Sequence, residues 1–518
     1  MIREHINPSR LYLLMGAIML SIFMAALDQT IVATALPDIL KSLGGFNLLT
    51  WVYASYILTS TIVILIAGRL SDIYGRKILY LIGIAIFVLG SILSGLSGSI
   101  LQLIIFRAIQ GIGAGAMTSI AFASVGDLFT PRERGKWQGL FSSMFAIASV
   151  VGPLIGGYLT EHVSWHWIFY INVPIGIVAF LLIANEYPHI VIHKDESVDY
   201  LGITLFTILT TALVSAFIFG GTTFAWNSFQ EIGLFALFVI FLTVFIISQI
   251  KRVHPLLPTY LFSDKNFVIV IVLAFISSFA MYGAIVFLPI YFQYIRGLSP
   301  TISGLYLTPM TIGIVIASIT SGIIMSKTGK YKFMLYIGIV VASVGIYMLS
   351  HITVSSGMLG TVVSMLITGL GLGIFFPVLN IVAQNAFPVA QIGVVTGTLQ
   401  LFRTIASAIG LSIMGSFMNN FFISALVKNK PSGLPAFLSS AYNGLKNSFS
   451  SATGNFSNVN LSGVPAAFHN FVVEITNAVY TSLTSAISHI MLFSSIIIIV
   501  SIIFIFFLKE VPLRTTND

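Results

Sequence analysis

The sequence contains no cysteine and few charged residues, and each shortage excludes a class of protein. Without cysteine the chain can form no disulfide bond, no thiol nucleophile and no cysteine-ligated metal site. Charged residues make up 8% of the 518 residues, whereas hydrophobic residues make up 57% and the mean hydropathy is +1.01. A water-soluble globule of this length needs far more polar surface. We therefore expect a membrane protein that crosses the bilayer many times.

Two further absences concern energy and chemistry. The sequence has no G-x-x-x-x-G-K-[ST] loop and no hydrophilic segment long enough for a nucleotide-binding domain, which argues against an ATP-driven pump. Its nine histidines are scattered, and an enzyme would need clustered His, Asp or Glu side chains. We therefore expect neither an enzyme, nor a cofactor, nor a metal site.

Long apolar runs are what the sequence does contain. Fourteen of them approach the ~20 residues that an α-helix needs to cross ~30 Å of hydrocarbon. The sequence therefore predicts an all-α membrane protein. The predicted spans are 11–36, 48–68, 78–98, 100–123, 137–158, 167–185, 200–219, 231–249, 267–291, 303–325, 333–350, 357–379, 391–417 and 487–508.

The distribution of Lys and Arg predicts the orientation of these spans. Most of the 24 basic residues fall on one side if both termini are cytoplasmic, as the positive-inside rule requires. The net charge of +8 is thus a topology signal and does not indicate a nucleic-acid partner. The segment 418–486 then becomes a long extracellular loop. It contains "NFS" at Asn455 and "NLS" at Asn460, which match the glycosylation pattern, although chance tripeptides explain them equally well.

Two similar loops indicate an internal repeat. "GRLSDIYGRK" covers residues 68–77 and "GIIMSKTGKYK" covers 322–332; each has two glycines seven residues apart, the second followed by a cation. Parallel six-helix repeats are a transporter architecture. We expect an N-terminal six-helix bundle over 1–190, an extra helix pair with its linker over 191–262, and a C-terminal six-helix bundle over 263–518.

Six motifs occur in the order found in one family. They are "LDQTIVATALP", "WVYASYIL", "GRLSDIYGRK", "FRAIQG", "ASVVGPLIGG" and "WHWIFYINVPIG". With them the chain resembles the fourteen-helix drug/proton antiporter branch of the major facilitator superfamily. The resemblance implies a major facilitator fold, two six-helix bundles with two extra central helices, and multidrug efflux across the cell membrane. The sequence departs from the pattern at His166, where Arg is expected, and at Ser326, where the first loop has Asp72.

Asp28 and Arg107 are predicted to form a proton-coupling pair. Asp28 lies about eight residues from the outer end of span one, and Arg107 about seven residues from the outer end of span four, so both are ~10–12 Å deep. A buried carboxylate must pair with a cation, contact water or be protonated. Alternation among these states would carry protons, with Gln110 orienting the guanidinium; the alternative is a static ion pair that only fixes helix packing.

The first of the two loops is predicted to gate the cytoplasmic side. By family resemblance, Asp72 caps a helix start in the opposite half and Arg76 pairs with Asp127, while Gly68 and Gly75 permit the tight turn. The alternative is that these charges only set the orientation of the chain.

Span five carries the motif that the family associates with antiport. Gly152, Pro153, Gly156 and Gly157 give the helix a face with little side-chain bulk and a kink, which allows close packing against another helix. The resemblance to exporters, rather than the packing, predicts efflux.

Candidate substrate-cavity residues are polar or aromatic and lie within or beside the spans. A single deep acid opposed by two arginines leaves little negative charge to balance a dication, so the sequence predicts neutral or monocationic lipophilic substrates. The candidates are Tyr53, Tyr56, Tyr282, Tyr291, Phe376, Asn380, Gln400 and Arg403.

The expected partners are a small-molecule substrate, protons and membrane lipid, with no nucleic acid, and we expect a monomer. Two alternatives remain open from the sequence. One is an exporter of an endogenous lipid or metabolite on the same fold, and the other is a sensor or binding protein that transports nothing.

Overall fold

The computed structural model describes residues 7–43, 48–188, 197–220, 224–388, 391–431, 434–435, 438–439, 442 and 469–513. Within these ranges the chain is built of α-helices, and fourteen helical segments are long and apolar enough to cross a membrane. The predicted number of spans is confirmed. The helices are α1 (Pro8–Leu43), α2 (Leu49–Tyr74), α3 (Arg76–Gly95), α4 (Ile100–Leu128), α5 (Pro131–His162), α6 (Trp167–Tyr170), α7 (Asn172–Glu186), α8 (Tyr200–Phe219), α9 (Phe229–Lys251), α10 (Lys265–Ile290), α11 (Pro300–Tyr306), α12 (Thr308–Thr328), α13 (Lys332–Leu349), α14 (Met358–Asn385), α15 (Ile392–Lys428), α16 (His469–Val500) and α17 (Ile502–Phe507).

Two of the predicted span ends are wrong. Helix α15 continues beyond residue 417 to Lys428, and α16 begins at His469 instead of near 487. Both extensions are less apolar than a membrane core, but Phe422, Leu426 and Leu483 are buried, so tertiary packing stabilises helix there. The segment between these helices is therefore shorter than the predicted loop 418–486. Asn455 and Asn460 lie outside the described residues.

The N-terminal and C-terminal halves meet mainly along two helix pairs, α2 with α15 and α5 with α12, with smaller contacts of α14 with α5 and of α15 with α4. Each pair brings one loop glycine against the backbone of the other half: Gly68 lies against Gly393, and Gly322 lies against Gly135. Gly75 and Gly329, the second glycines of the two loops, both have positive φ, at 92° and 70°. The two loop copies thus share a glycine with positive φ at the same place, although ψ differs, at 145° for Gly75 and 1° for Gly329.

The extra helices α8 and α9 pack against each other, and α8 also packs against α2 and α15. Where α8 begins and α9 ends, Asp199 accepts hydrogen bonds from the backbone N–H of Gly202 (2.9 Å) and from Gln249 Nε2 (2.8 Å). Helix α9 exposes an almost continuous apolar surface, since only 11% of its most apolar window is buried. This is the surface expected of a helix that faces lipid.

Candidate functional site

Asp28 and Arg107 are brought together in the interior of the N-terminal half. Both residues are completely buried, and Arg107 Nη1 donates to Asp28 Oδ2. Arg107 Nη1 also donates to Gln110 Oε1 at 2.7 Å, and Gln110 Nε2 donates to Asp28 Oδ1 at 2.8 Å. The three side chains therefore form a closed polar triangle between α1 and α4.

Two further residues complete this network, and the sequence assigned them no role. Asn172 Nδ2, at the first turn of α7, donates to Asp28 Oδ1 at 3.0 Å and to Ser91 Oγ at 3.0 Å. Ser91 on α3 also accepts from Gln110 Nε2 at 3.1 Å and donates to the Phe169 carbonyl at 2.8 Å. Asn172 lies within the quoted motif "WHWIFYINVPIG", which was the available signal; nothing in the sequence singled out Ser91.

The carboxylate of Asp28 thus accepts hydrogen bonds from three side chains: Arg107, Gln110 and Asn172. Hydrogen bonds to a buried carboxylate favour its ionised form, and the adjacent guanidinium balances its charge. The arrangement can hold an ion pair without water, and protonation of the carboxylate would break that balance.

Arg107 is fixed from its other side by an aromatic ring. Its guanidinium lies over the Tyr56 ring, 4.2 Å from the centroid, and Tyr56 Oη donates to the Ala25 carbonyl at 3.3 Å. A cation over an aromatic face is attracted by the ring quadrupole. Tyr56, predicted to line the substrate cavity, contacts the ion pair.

The glycines that follow Arg107 on α4 are packing residues. A Cβ on Gly111 or Gly115 would meet the backbone of α2 at Tyr56 and Ser60, and one on Gly113 would meet α3 at Phe87. Close backbone approach of this kind needs small residues. It holds Arg107 at a fixed height relative to α2 and α3.

A second buried cluster brings together the loop residues predicted to gate one side of the protein. Asp72 accepts from the backbone N–H of Gly393 (3.2 Å) and Val394 (3.0 Å), at the first turn of α15. Arg76 Nη2 lies 2.6 Å from Asp72 Oδ1, and Arg76 Nε lies 2.8 Å from Asp127 Oδ2 at the end of α4. We call Asp72, Arg76, Asp127 and the first turn of α15 the cytoplasmic latch, after the side on which the sequence predicts them.

The cytoplasmic latch is buried, since the side chains of Asp72, Arg76 and Asp127 are each 2% exposed. A carboxylate at a helix N-terminus receives free N–H groups and a favourable helix dipole. Near the latch, Gln384 Nε2 on α14 donates to the Phe122 carbonyl of α4 at 3.2 Å. The described conformation is therefore closed on the side where the latch lies.

The span-five motif packs against α1. A Cβ on Gly152 would collide with Thr30, whose Oγ1 donates to the Ala148 carbonyl of α5 at 2.9 Å. Pro153 lies inside the helix, and Gly156 is buried whereas Gly157 is half-buried. Because α1 carries Asp28, this contact joins the motif to the helix of the ion pair.

The predicted substrate-cavity residues fall into separate groups. Phe376, Asn380, Gln400 and Arg403 contact one another between α14 and α15. Tyr53 packs among apolar residues of α1, α2 and α4 near Tyr56. Tyr291 is completely buried within the C-terminal half and donates to the Thr353 carbonyl at 3.0 Å. The side chain of Tyr282 lies outside the described part of the chain.

Comparison with known proteins identifies the family of this fold. Residues 18–411 match the family described as Major Facilitator Superfamily. The chain is 37% identical over 520 residues to the multidrug transporter protein MdtP of Bacillus subtilis, covering 99% of this chain and 95% of that protein. It is 34% identical to multidrug resistance protein 3 of the same organism, with 97% and 96% covered.

A solved structure shares the fold at much lower identity. The crystal structure of the human organic anion transporter MFSD10 (TETRAN) superposes with a TM-score of 0.62 at 13% identity, covering 95% of this chain and 100% of that one. That likeness shows the fold, whereas the family match and the Bacillus relatives show a many-span membrane transporter and not an enzyme. The chain belongs to the major facilitator superfamily and is similar along its whole length to bacterial multidrug transporters.

Proposed function

We propose that this protein is a proton-coupled antiporter that exports neutral or monocationic lipophilic compounds across the cell membrane. The observation that carries the proposal is the carboxylate of Asp28, which is fully buried and held by Arg107, Gln110 and Asn172. An ionised group inside a membrane protein is energetically costly unless a counter-ion balances its charge. Arg107 balances the charge of Asp28 only while Asp28 is ionised.

The proposed cycle follows from that balance of charge. When Asp28 is ionised, the pair with Arg107 is neutral and can be sealed from water. When a proton binds to Asp28, the guanidinium loses its counter-ion and the three-donor arrangement is no longer favoured. The protonated site is then more stable in a conformation that hydrates Arg107, which couples proton binding to rearrangement of α1 against α4.

The cytoplasmic latch supplies the second element that the cycle needs. Its carboxylate-to-backbone contacts exist only while α2 and α15 touch, so they favour the closed cytoplasmic side. Opening to admit substrate from the cytoplasm must break them. The similarity to multidrug transporters of Bacillus subtilis supports export of more than one compound.

The test is transport by purified protein in vesicles that contain no other pump. An imposed pH gradient should drive uptake of a lipophilic dye into inside-out proteoliposomes, and Asp28→Asn should abolish it while preserving a monodisperse protein. Glu161→Gln is a matched control, since Glu161 is an exposed carboxylate at the outer end of α5. Gradient-driven transport by the Asp28→Asn variant at the parent rate would refute proton coupling at this residue.

We further propose that both termini are cytoplasmic and that the protein functions as a monomer. Arg69, Arg76 and Lys77 lie in the loop of the latch, on the side where the positive-inside rule places the cytoplasm. Protease removal of terminal tags only in inside-out vesicles would support this orientation, and removal only in right-side-out vesicles would contradict it.

A further inference from the structure

Arg403 is a second buried arginine, and its surroundings differ from those of Arg107. It lies on α15 with 5% of its surface exposed. Its guanidinium donates to Asn380 Oδ1 (3.5 Å), Gln400 Oε1 (3.4 Å) and the Phe376 carbonyl (3.3 Å). All three partners are uncharged, and all three distances are at or beyond the long end of ordinary hydrogen bonds.

The C-terminal half offers no carboxylate to balance this charge among the residues that the structure describes. Asp264 caps α10 through the backbone N–H of Phe267, Glu474 is exposed on α16, and Glu510 accepts from the backbone N–H of Tyr331. A buried guanidinium without an anion is strongly unfavourable, whereas Arg107 has Asp28. Within the described C-terminal half, the positive charge of Arg403 therefore has no carboxylate beside it.

A second polar group beside Arg403 also lacks a partner. Asn380 is completely buried, and among the described residues its Nδ2 has no hydrogen-bond partner, although its Oδ1 accepts from Arg403. Most buried donors in proteins have a partner, so this free N–H beside a buried cation is available to a ligand. The Phe376 ring lies 4.7 Å from the Arg403 guanidinium and holds it from one face.

We propose that Arg403, Asn380 and Phe376 form a subsite that binds the carboxylate of a lipophilic substrate. The Arg403 guanidinium makes only long hydrogen bonds and Asn380 Nδ2 makes none among the described residues, so both N–H groups can donate to the two oxygens of a carboxylate. The aromatic ring contacts the apolar body beside that group. This inference rests on the proposed export function and narrows its substrates toward net-neutral compounds that carry a carboxylate, such as lipophilic zwitterions.

Rhodamine B and its methyl ester are suitable probes. They share one cationic ring system, but rhodamine B has a free carboxylate and is a net-neutral zwitterion, whereas the ester is a monocation. We expect Arg403→Gln to raise the KM for rhodamine B about 10-fold relative to the ester, equivalent to ~1.4 kcal/mol. Arg403→Lys should retain part of the preference, because Lys keeps the charge without the planar fork.

Asn380→Asp tests the same idea without removing the arginine. Its new carboxylate would pair with Arg403 and compete with that of the substrate, so rhodamine B should again lose about 10-fold relative to the ester. Arg296→Gln is the control, since Arg296 contacts the Val354 carbonyl away from this subsite, and it should leave the ratio unchanged. Equal effects on both dyes, or no effect on either, would overturn the proposed subsite.

Failure of the subsite and failure of the transport function give different results. If the parent protein moves neither dye under a pH gradient, the proposed export of such compounds fails. Fluorescence anisotropy of both dyes with purified protein then still measures the subsite. Loss of affinity for rhodamine B alone in the Asn380→Asp variant would support it, and unchanged affinity would refute it.

Discussion

Gly393, at the start of α15, is the position where a single methyl group would most directly open the cytoplasmic latch. A Cβ there would lie 2.5 Å from the Gly68 carbonyl oxygen, and closer still to Asp72 Oδ1 and Arg76 Nη1. Ordinary contacts of a Cβ begin near 3.4 Å. In Gly393→Ala, α2 and α15 must therefore separate by about 1 Å at this point.

A separation of that size removes the contacts that hold the latch. Asp72 accepts from Gly393 and Val394 at 3.2 and 3.0 Å, and an added ~1 Å exceeds hydrogen-bond range. Each hydrogen bond to a charged group contributes ~1.5–3 kcal/mol, so the closed conformation should lose about 3 kcal/mol. That loss corresponds to a shift of about 150-fold in the ratio of closed to open molecules.

The natural absence of cysteine makes the measurement direct. Spin labels at Tyr74→Cys and Lys327→Cys, both exposed at the C-terminal ends of α2 and α12, report the distance between the halves by double electron–electron resonance. Gly393→Ala should move the distribution to longer distances. Gly415→Ala is the control on the same helix, because a Cβ there meets nothing within 4 Å. Identical distributions for the two variants would refute the role assigned to the latch.

Three other perturbations test the remaining contacts. Asn172→Ala removes one of three donors to Asp28 and should lower gradient-driven efflux about 10-fold with dye binding unchanged; a parent rate in proteoliposomes would contradict this. Burial lowers the pKa of His166, so the folded protein should lose thermal stability as the pH falls below ~6.5, and His166→Gln should reduce that loss in melting curves from pH 7 to 5. Asp28→Asn and Asp127→Asn form a double-mutant cycle in which the spin-label distances give the free-energy difference between closed and open conformations. If α4 couples the two sites, the effects of the two substitutions on this free energy should differ from additivity by more than ~0.5 kcal/mol; additive effects would argue against coupling.

Helix geometry explains why the ion pair could be predicted from the sequence. In antiparallel spans, equal distances from one surface place two residues at one height, and this puts Asp28 on α1 level with Arg107 on α4. The spacing of three residues between Arg107 and Gln110 likewise places them on one helix face. These inferences need only the rise per residue and the direction of each helix.

The remainder of the site depends on how helices rotate about their axes, which a single sequence does not reveal. Ser91 reaches Asp28 only through Gln110 and Asn172, because α3 and α7 turn their polar faces inward. For the same reason, the sequence could not show that Tyr56 and Tyr291 lie apart from Arg403 and the residues that contact it. The span ends of α15 and α16 were missed because hydropathy measures transfer into lipid, whereas these turns are stabilised by packing against protein.

The contacts of α2 with α15 and of α5 with α12 form the two seams between the halves. Both seams contain a contact between two glycines, but their charged residues differ. At both seams a loop glycine meets a glycine of the opposite half, Gly68 with Gly393 and Gly322 with Gly135. Only the first loop adds a carboxylate to this contact, since Ser326 stands in the second loop where Asp72 stands in the first. Close packing gives both seams shape complementarity, but only the α2–α15 seam carries the Asp72 contacts to a helix N-terminus, which are lost when the halves separate. Separation of the halves at the α2–α15 seam must therefore break contacts to a carboxylate as well as close packing.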